Sequence, residues 1–184
     1  MTPMSVKITY YVHGTTPYNE QAIASGQSDI GLSEQGVRDS EKLRDLTKDL
    51  QFDAVFTSDL PRALDTVNIA FETRYPLILE PRLREIDDGI YTGKPISEVP
   101  KPHLRFVDER YPEGESFNDV AVRIKGLLDE LKETRDGQHV AFMAHFAPQM
   151  ALDVLLGGKT WEQAFAEDWR KTKSWQPGWE YEVK

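Results

Sequence analysis

An α/β fold, three-layer α/β/α around a largely parallel sheet, is what the sequence predicts. Three observations carry this. Short β-branched and aromatic runs alternate with longer stretches of helical periodicity in the order βαβαβ…αβα. Those runs are almost continuously apolar, as strands covered on both faces require. Two of them end directly on a histidine, His13 and His145.

The first run, Val6 to Val12, is followed by Gly14 and reads as a buried strand entering a tight loop. A polar loop with Asn19, Gly26 and Gly31 follows. Ser33 is a plausible N-cap for a helix with Val37, Leu43, Leu46 and Leu50 as its apolar stripe. Residues 53–57 form a second strand. Ser58 or Asp59 then caps a helix with Pro61 in its first turn and with Leu64, Val67, Ile69 and Phe71 turned inward. Residues 77–80 are a third strand. Pro and Gly mark 81–112 as a long irregular segment of the kind that usually carries function. A helix over 116–135 presents Phe117, Val120, Ile124, Leu127, Leu128 and Leu131 on one face. A strand over 138–144 precedes a helix over 148–156 that ends at Gly157 and Gly158, and residues 179–183 close the sheet as an edge strand. No repeat or linker interrupts the chain, so the 184 residues, 1–184, are read as one domain.

Composition narrows the function. With 29% charged and 39% hydrophobic residues the chain reads as a globular protein. Cysteine is absent, which removes disulfides, thiolate metal sites and a cysteine nucleophile. The start has no secretory leader, and no apolar run reaches about 18 residues, so a cytoplasmic location is expected with no membrane partner. A net charge of -9 disfavours nucleic acid, and an anionic ligand would need a local cluster of cations.

In parallel sheets, ligands bind beyond the carboxyl ends of the strands. There the first strand delivers His13-Gly14-Thr15-Thr16, the second delivers Thr57-Ser58 with Arg62 in the next helical turn, and a later one delivers His145. Two imidazoles, a guanidinium at a helix N-terminus and small hydroxyl residues make a plausible phosphate site. Singly, each has an ordinary reading as a packed histidine or a solvated arginine; their conjunction points to chemistry.

The motifs YYVHGTTPYNE, GLSEQGVRDSEKL, TSDLPRALDTV, PRLREIDDGIYTGKP, PEGES and VAFMAHF occur in this order over about residues 5–158. Together they resemble the histidine phosphatase superfamily, also called phosphoglycerate mutase-like. The resemblance implies that His13 is a nucleophile forming a phosphohistidine, that Arg62 and His145 hold the phosphoryl oxygens, and that Glu85 is the general acid and later the base. It further implies that Gly14, Thr16 and Asn19 line the phosphate pocket, although loop hydrogen bonding explains Thr16 and Asn19 equally well. No metal or cofactor is implied. The partner would be a small phosphorylated substrate or inorganic phosphate, and the oligomeric state is not readable.

One position departs from the pattern: Val12 stands where the family resemblance leads one to expect arginine. Loss of a bidentate guanidinium could slow phosphoryl transfer by roughly two to four orders of magnitude. Three readings stay open: a weakened phosphatase, a site in which Arg38, Arg84 or Lys94 substitutes, or a phospho-ligand binder without turnover. A mutase is the further alternative, but IDDGIYTGKP looks more like the small phosphatases, including the α-ribazole phosphatase group, with Tyr91 and Thr92 in place of Trp and Glu.

Lesser signals have plain readings. Residues 157–160 (GGKT) hint at a P-loop, but Asp153 stands where its first glycine belongs, so a helix C-cap is expected. Asp87 and Asp88 are read as solvated loop carboxylates. Trp161, Phe165, Trp169 and Trp175 are expected in packing. Substrate selectivity is assigned to 86–112 and its neighbours.

Overall fold

Five strands make one sheet in the computed structural model, which describes residues 5–101, 103–174 and 176–184. They are β1 (Val6–Val12), β2 (Ala54–Thr57), β3 (Leu77–Leu79), β4 (His139–Ala144) and β5 (Trp179–Val183), in the order β3-β2-β4-β1-β5. The first four run parallel, and β5 pairs antiparallel to β1 as an edge. The helices are α1 (Pro17–Glu20), α2 (Glu34–Thr47), α3 (Pro61–Ala70), α4 (Phe117–Thr134), α5 (Phe146–Leu155), α6 (Trp161–Ala166) and α7 (Trp169–Thr172).

Successive residues of a strand face opposite sides, and β1 shows the consequence. Tyr10 joins a core with Phe117, Ile124 and Leu127 of α4 and Met150 and Leu152 of α5. Its neighbour Tyr11 joins a second core on the other face, with Leu43 of α2 and Val67 of α3. Both faces are therefore covered, which is why the parallel strands read as continuous apolar runs.

The helices form where caps and periodicity say they should. Ser116 begins α4 with a capping box: its hydroxyl accepts from the Asp119 N–H while the Asp119 carboxylate accepts from the Ser116 N–H. All six expected inward residues of α4 are buried. At the other end of α5, Gly157 and Gly158 form a turn, Gly158 with φ +68°, as a helix C-cap reading requires.

Four local expectations need correction. Helix α2 does not bury Val37, Leu46 and Leu50, which are exposed; it buries Gly36, Ser40, Leu43 and Thr47. At its start the face is set by a close approach: a Cβ on Gly36 would lie 2.0 Å from the Thr15 carbonyl oxygen, so no side chain fits there. Helix α3 takes Leu60, without a side-chain cap, as its N-cap, while the Ser58 hydroxyl accepts from the Leu60 N–H, and Leu64 and Ile69 are only half-buried. A short α1 stands where a polar loop was expected, and α6 and α7 occupy a stretch given no element. Among the described residues no helix is long and apolar enough to cross a membrane.

Candidate active site

Strand register brings the two histidines together. In the β1–β4 ladder Val12 pairs with Ala144, so the next residues are His13 and His145, and the His13 N–H donates to the Ala144 carbonyl at 3.2 Å. Their rings stand with centroids 5.0 Å apart, tilted by 55°. That is direct ring contact, with no room for an anion between the two ring planes.

Next to them, β2 ends at Thr57, the Ser58 N–H donates to the Met143 carbonyl, and α3 starts one step later. This puts Arg62 under the site, 1% exposed. Two of its nitrogens donate to the carbonyls of Gly26 (2.7 Å) and Ser28 (3.0 Å), while Nε is buried without a partner. The ordinary reading of Arg62 as a solvated surface charge therefore does not hold.

His13 lines a cavity of about 270 Å³ together with Asn19, Arg62, Glu85, Asp88 and Arg170. Its Nδ1 lies 2.7 Å from the Gly14 carbonyl. A carbonyl only accepts, so Nδ1 carries the proton and Nε2 keeps its lone pair. Burial, then Arg62, push the His13 pKa down to about 3, which leaves the ring neutral at pH 7.

His145 is wholly buried, with both ring nitrogens unpaired, and its pKa is driven well down by burial and by Arg62. It is not among the residues that line the cavity, although the family resemblance gives it a place on the phosphoryl oxygens. Its backbone is clamped by Tyr10, whose hydroxyl donates to the His145 carbonyl (2.6 Å) and accepts from its N–H (3.0 Å).

Glu85 sits at the N-terminus of α5. Its carboxylate accepts from the N–H groups of Phe146 (2.9 Å), Ala147 (2.8 Å) and Ile86 (3.0 Å), so the helix start fixes it in place. Arg123 donates to the Glu85 carbonyl and pairs with Glu115, buttressing the same turn.

The three pocket-lining candidates fare differently. The Thr16 hydroxyl caps α1, accepting from the Asn19 N–H, and the Asn19 carboxamide oxygen bonds back to Thr16, so their resolved bonds are those of a cap. Asn19 still borders the cavity. The Gly14 N–H is committed to the Thr66 hydroxyl at 2.9 Å.

Sequence reasoning missed two groups. Asp88 is no solvated carboxylate: it borders the cavity, accepts from the Gly26 N–H at 3.1 Å, and burial plus nearby Glu85 raise its pKa to about 7. Its signal was absent, because only folding sets it beside Glu85. Arg170 arrives from α7, a helix of four residues that leaves no periodicity in the sequence. Of the expected aromatics, Phe165 is buried and Trp161 packs on Phe117. Trp169 stacks on Trp179, while Trp175 lies outside the described residues.

The profile of the histidine phosphatase superfamily, branch 1, matches residues 11–177. The chain belongs to this superfamily. Relatives of these histidine phosphatases agree across most of the chain. A probable phosphoglycerate mutase of Cronobacter sakazakii is 32% identical over 164 residues, covering 84% of this chain and 75% of that one. Phosphoserine phosphatase 1 of Hydrogenobacter thermophilus is 30% identical over 162 residues, with 83% and 77% covered. Among solved structures, a mycobacterial glucosyl-3-phosphoglycerate phosphatase in complex with VO3 superposes with a TM-score of 0.72 at 27% identity, covering 88% of this chain and 86% of that one. Neighbours of the histidine phosphatase fold thus include both phosphatases and mutase-like proteins.

Proposed function

We propose that this chain is a metal-independent phosphomonoester hydrolase that works through a phosphohistidine on His13. One observation carries the reading: a neutral imidazole with its proton fixed on Nδ1 by Gly14 presents Nε2 as a lone pair on a cavity wall beside a buried guanidinium. In the first half-reaction Nε2 attacks phosphorus and the P–O bond to the leaving alkoxide breaks. Arg62, with His145 behind it, stabilises the spreading oxygen charge. A protonated carboxyl gives its proton to the alkoxide. Water then cleaves the P–N bond, losing a proton to the same carboxylate and releasing inorganic phosphate.

Glu85 is the carboxyl that the family likeness assigns. Asp88 lies on the same cavity and titrates close to neutrality, a value suited to proton transfer at pH 7. The substrate is small and phosphorylated: the cavity is walled by Ile23, Ile96, Val99 and Tyr111 around the polar groups, which favours a partly apolar leaving group.

Val12 favours a second reading, a phospho-ligand binder of the same fold; the mutase-like relative favours a third. Hydrolysis of p-nitrophenyl phosphate with EDTA present separates the hydrolase from the binder, comparing the unmodified chain with His13→Ala and Val12→Arg. A hydrolase shows metal-independent turnover abolished by His13→Ala. An inert chain that gains turnover with Val12→Arg is a binder. Activity indifferent to His13→Ala removes the mechanism.

A further inference from the structure

We propose that Arg170, carried by α7, supplies the second guanidinium of the phosphate site, in a chain that has valine at residue 12 where the family likeness leads one to expect an arginine. The proposal rests on the reading of the His13 cavity as a phosphate site.

The cations that the sequence offered for this task are engaged elsewhere. Arg84 forms a bidentate pair with Asp59, at 2.7 and 2.6 Å. Lys94 lies over the Tyr91 ring at 5.8 Å. Arg38 is exposed, bonded to Gln35 and 3.9 Å from Glu34. Lys101 borders the cavity but is exposed and carries a point charge, not a fork.

Arg170 is ion-paired too, but at the cavity itself. It borders the same cavity as His13 and Arg62. It is held on three sides: one nitrogen pairs with the buried Asp168 at 2.8 Å, and its guanidinium carbon lies 5.1 Å from the Phe146 ring and 4.5 Å from the Trp169 ring. Phe146 directly follows His145, so this stacking ties the guanidinium to the histidine it would assist.

The same helix answers for Val12 itself. A second cavity, of about 300 Å³, is bordered by Val12, His13, Thr66 and Trp169. Adjacent residues of α7 thus bracket His13, with Trp169 in the cavity beside Val12 and Arg170 in the cavity beside Arg62. A planar fork prefixed by Asp168 can meet two phosphoryl oxygens with little loss of side-chain entropy.

The test pairs phosphate affinity, measured by calorimetry with inorganic phosphate, with kcat/KM on p-nitrophenyl phosphate. Arg170→Gln is expected to lose about 10- to 100-fold in each, the worth of one charge-assisted hydrogen bond. Arg170→Lys is expected to lose less, and Lys101→Gln less than threefold. In the Arg170→Gln background Val12→Arg should restore most of the loss, yet add little to the unmodified chain. Arg170→Gln within twofold on both readouts overturns the proposal, as does a Val12→Arg gain of equal size in both backgrounds. Should Arg170→Gln misfold, Asp168→Asn and Arg170→Lys decide: a loss in phosphate affinity supports the role, and no change in either overturns it. If the unmodified chain has no phosphatase activity, the hydrolase reading falls alone, and phosphate affinity still decides for or against Arg170.

Discussion

At the scale of single residues, Asp88 makes the sharpest claim. Its folded pKa of about 7 lies above the ordinary carboxylate value, so the folded state holds a proton that the unfolded chain has released between about pH 4 and 7. Its contribution is fully present below the unfolded pKa and is lost as pH rises through 7. Asp88→Asn removes that penalty, so its melting temperature should exceed that of the unmodified chain by several degrees at pH 8 and by little at pH 4. Scanning calorimetry at both pH values checks this; an equal shift at both would refute the assignment. The same variant separates the two candidate proton donors. If Asp88 donates, Asp88→Asn removes the basic limb of the kcat profile near neutrality, and if Glu85 donates, Asp88→Asn keeps turnover that Glu85→Gln loses.

Elements put these residues where they act. The turn carrying Asp88 is held by Gly89, which has φ +54° and whose Cβ would lie 1.9 Å from the Pro112 carbonyl oxygen. Gly89→Ala should destabilise by about 2 kcal/mol or more, a fall of roughly 4–8 °C in Tm, and displace Asp88 from the cavity. An unchanged Tm would mean that the contact between the 85–93 and 112–116 segments does not hold the site. Helix α4 and strands β1 and β4 were legible in the sequence because periodicity, caps and burial agree there, down to Ser116 and the six inward residues. The start of the α2 face was not, because it is shaped by backbone approach at Gly36 and not by apolar contact. Helix α6 could have been read from Thr160 and Gln163, which form a capping box. Helix α7 has only four residues, too few for any periodicity, and so Arg170 was invisible.

Across the whole molecule, an acidic chain of net charge -9 brings Arg62 and Arg170 to one cavity with His13. The histidines His13 and His145 are 132 positions apart in sequence, yet adjacent strands in register make them neighbours. That juxtaposition was foreseen from two apolar runs ending on histidine. The full burial of His145 and Arg62 was not, since it depends on how α3 and α5 close over the sheet. Unpaired buried nitrogens on both side chains cost stability, about 1–3 kcal/mol per group, and an anion that pairs them returns it.

The most direct trial is to quench the protein in alkali within milliseconds of mixing with a phosphate monoester and to map the phosphoryl group by mass spectrometry. An acid-labile, alkali-stable phosphoryl group on His13, absent from His13→Ala, is predicted. Turnover with no phosphoryl group on His13, or with the label on another residue, would contradict the account.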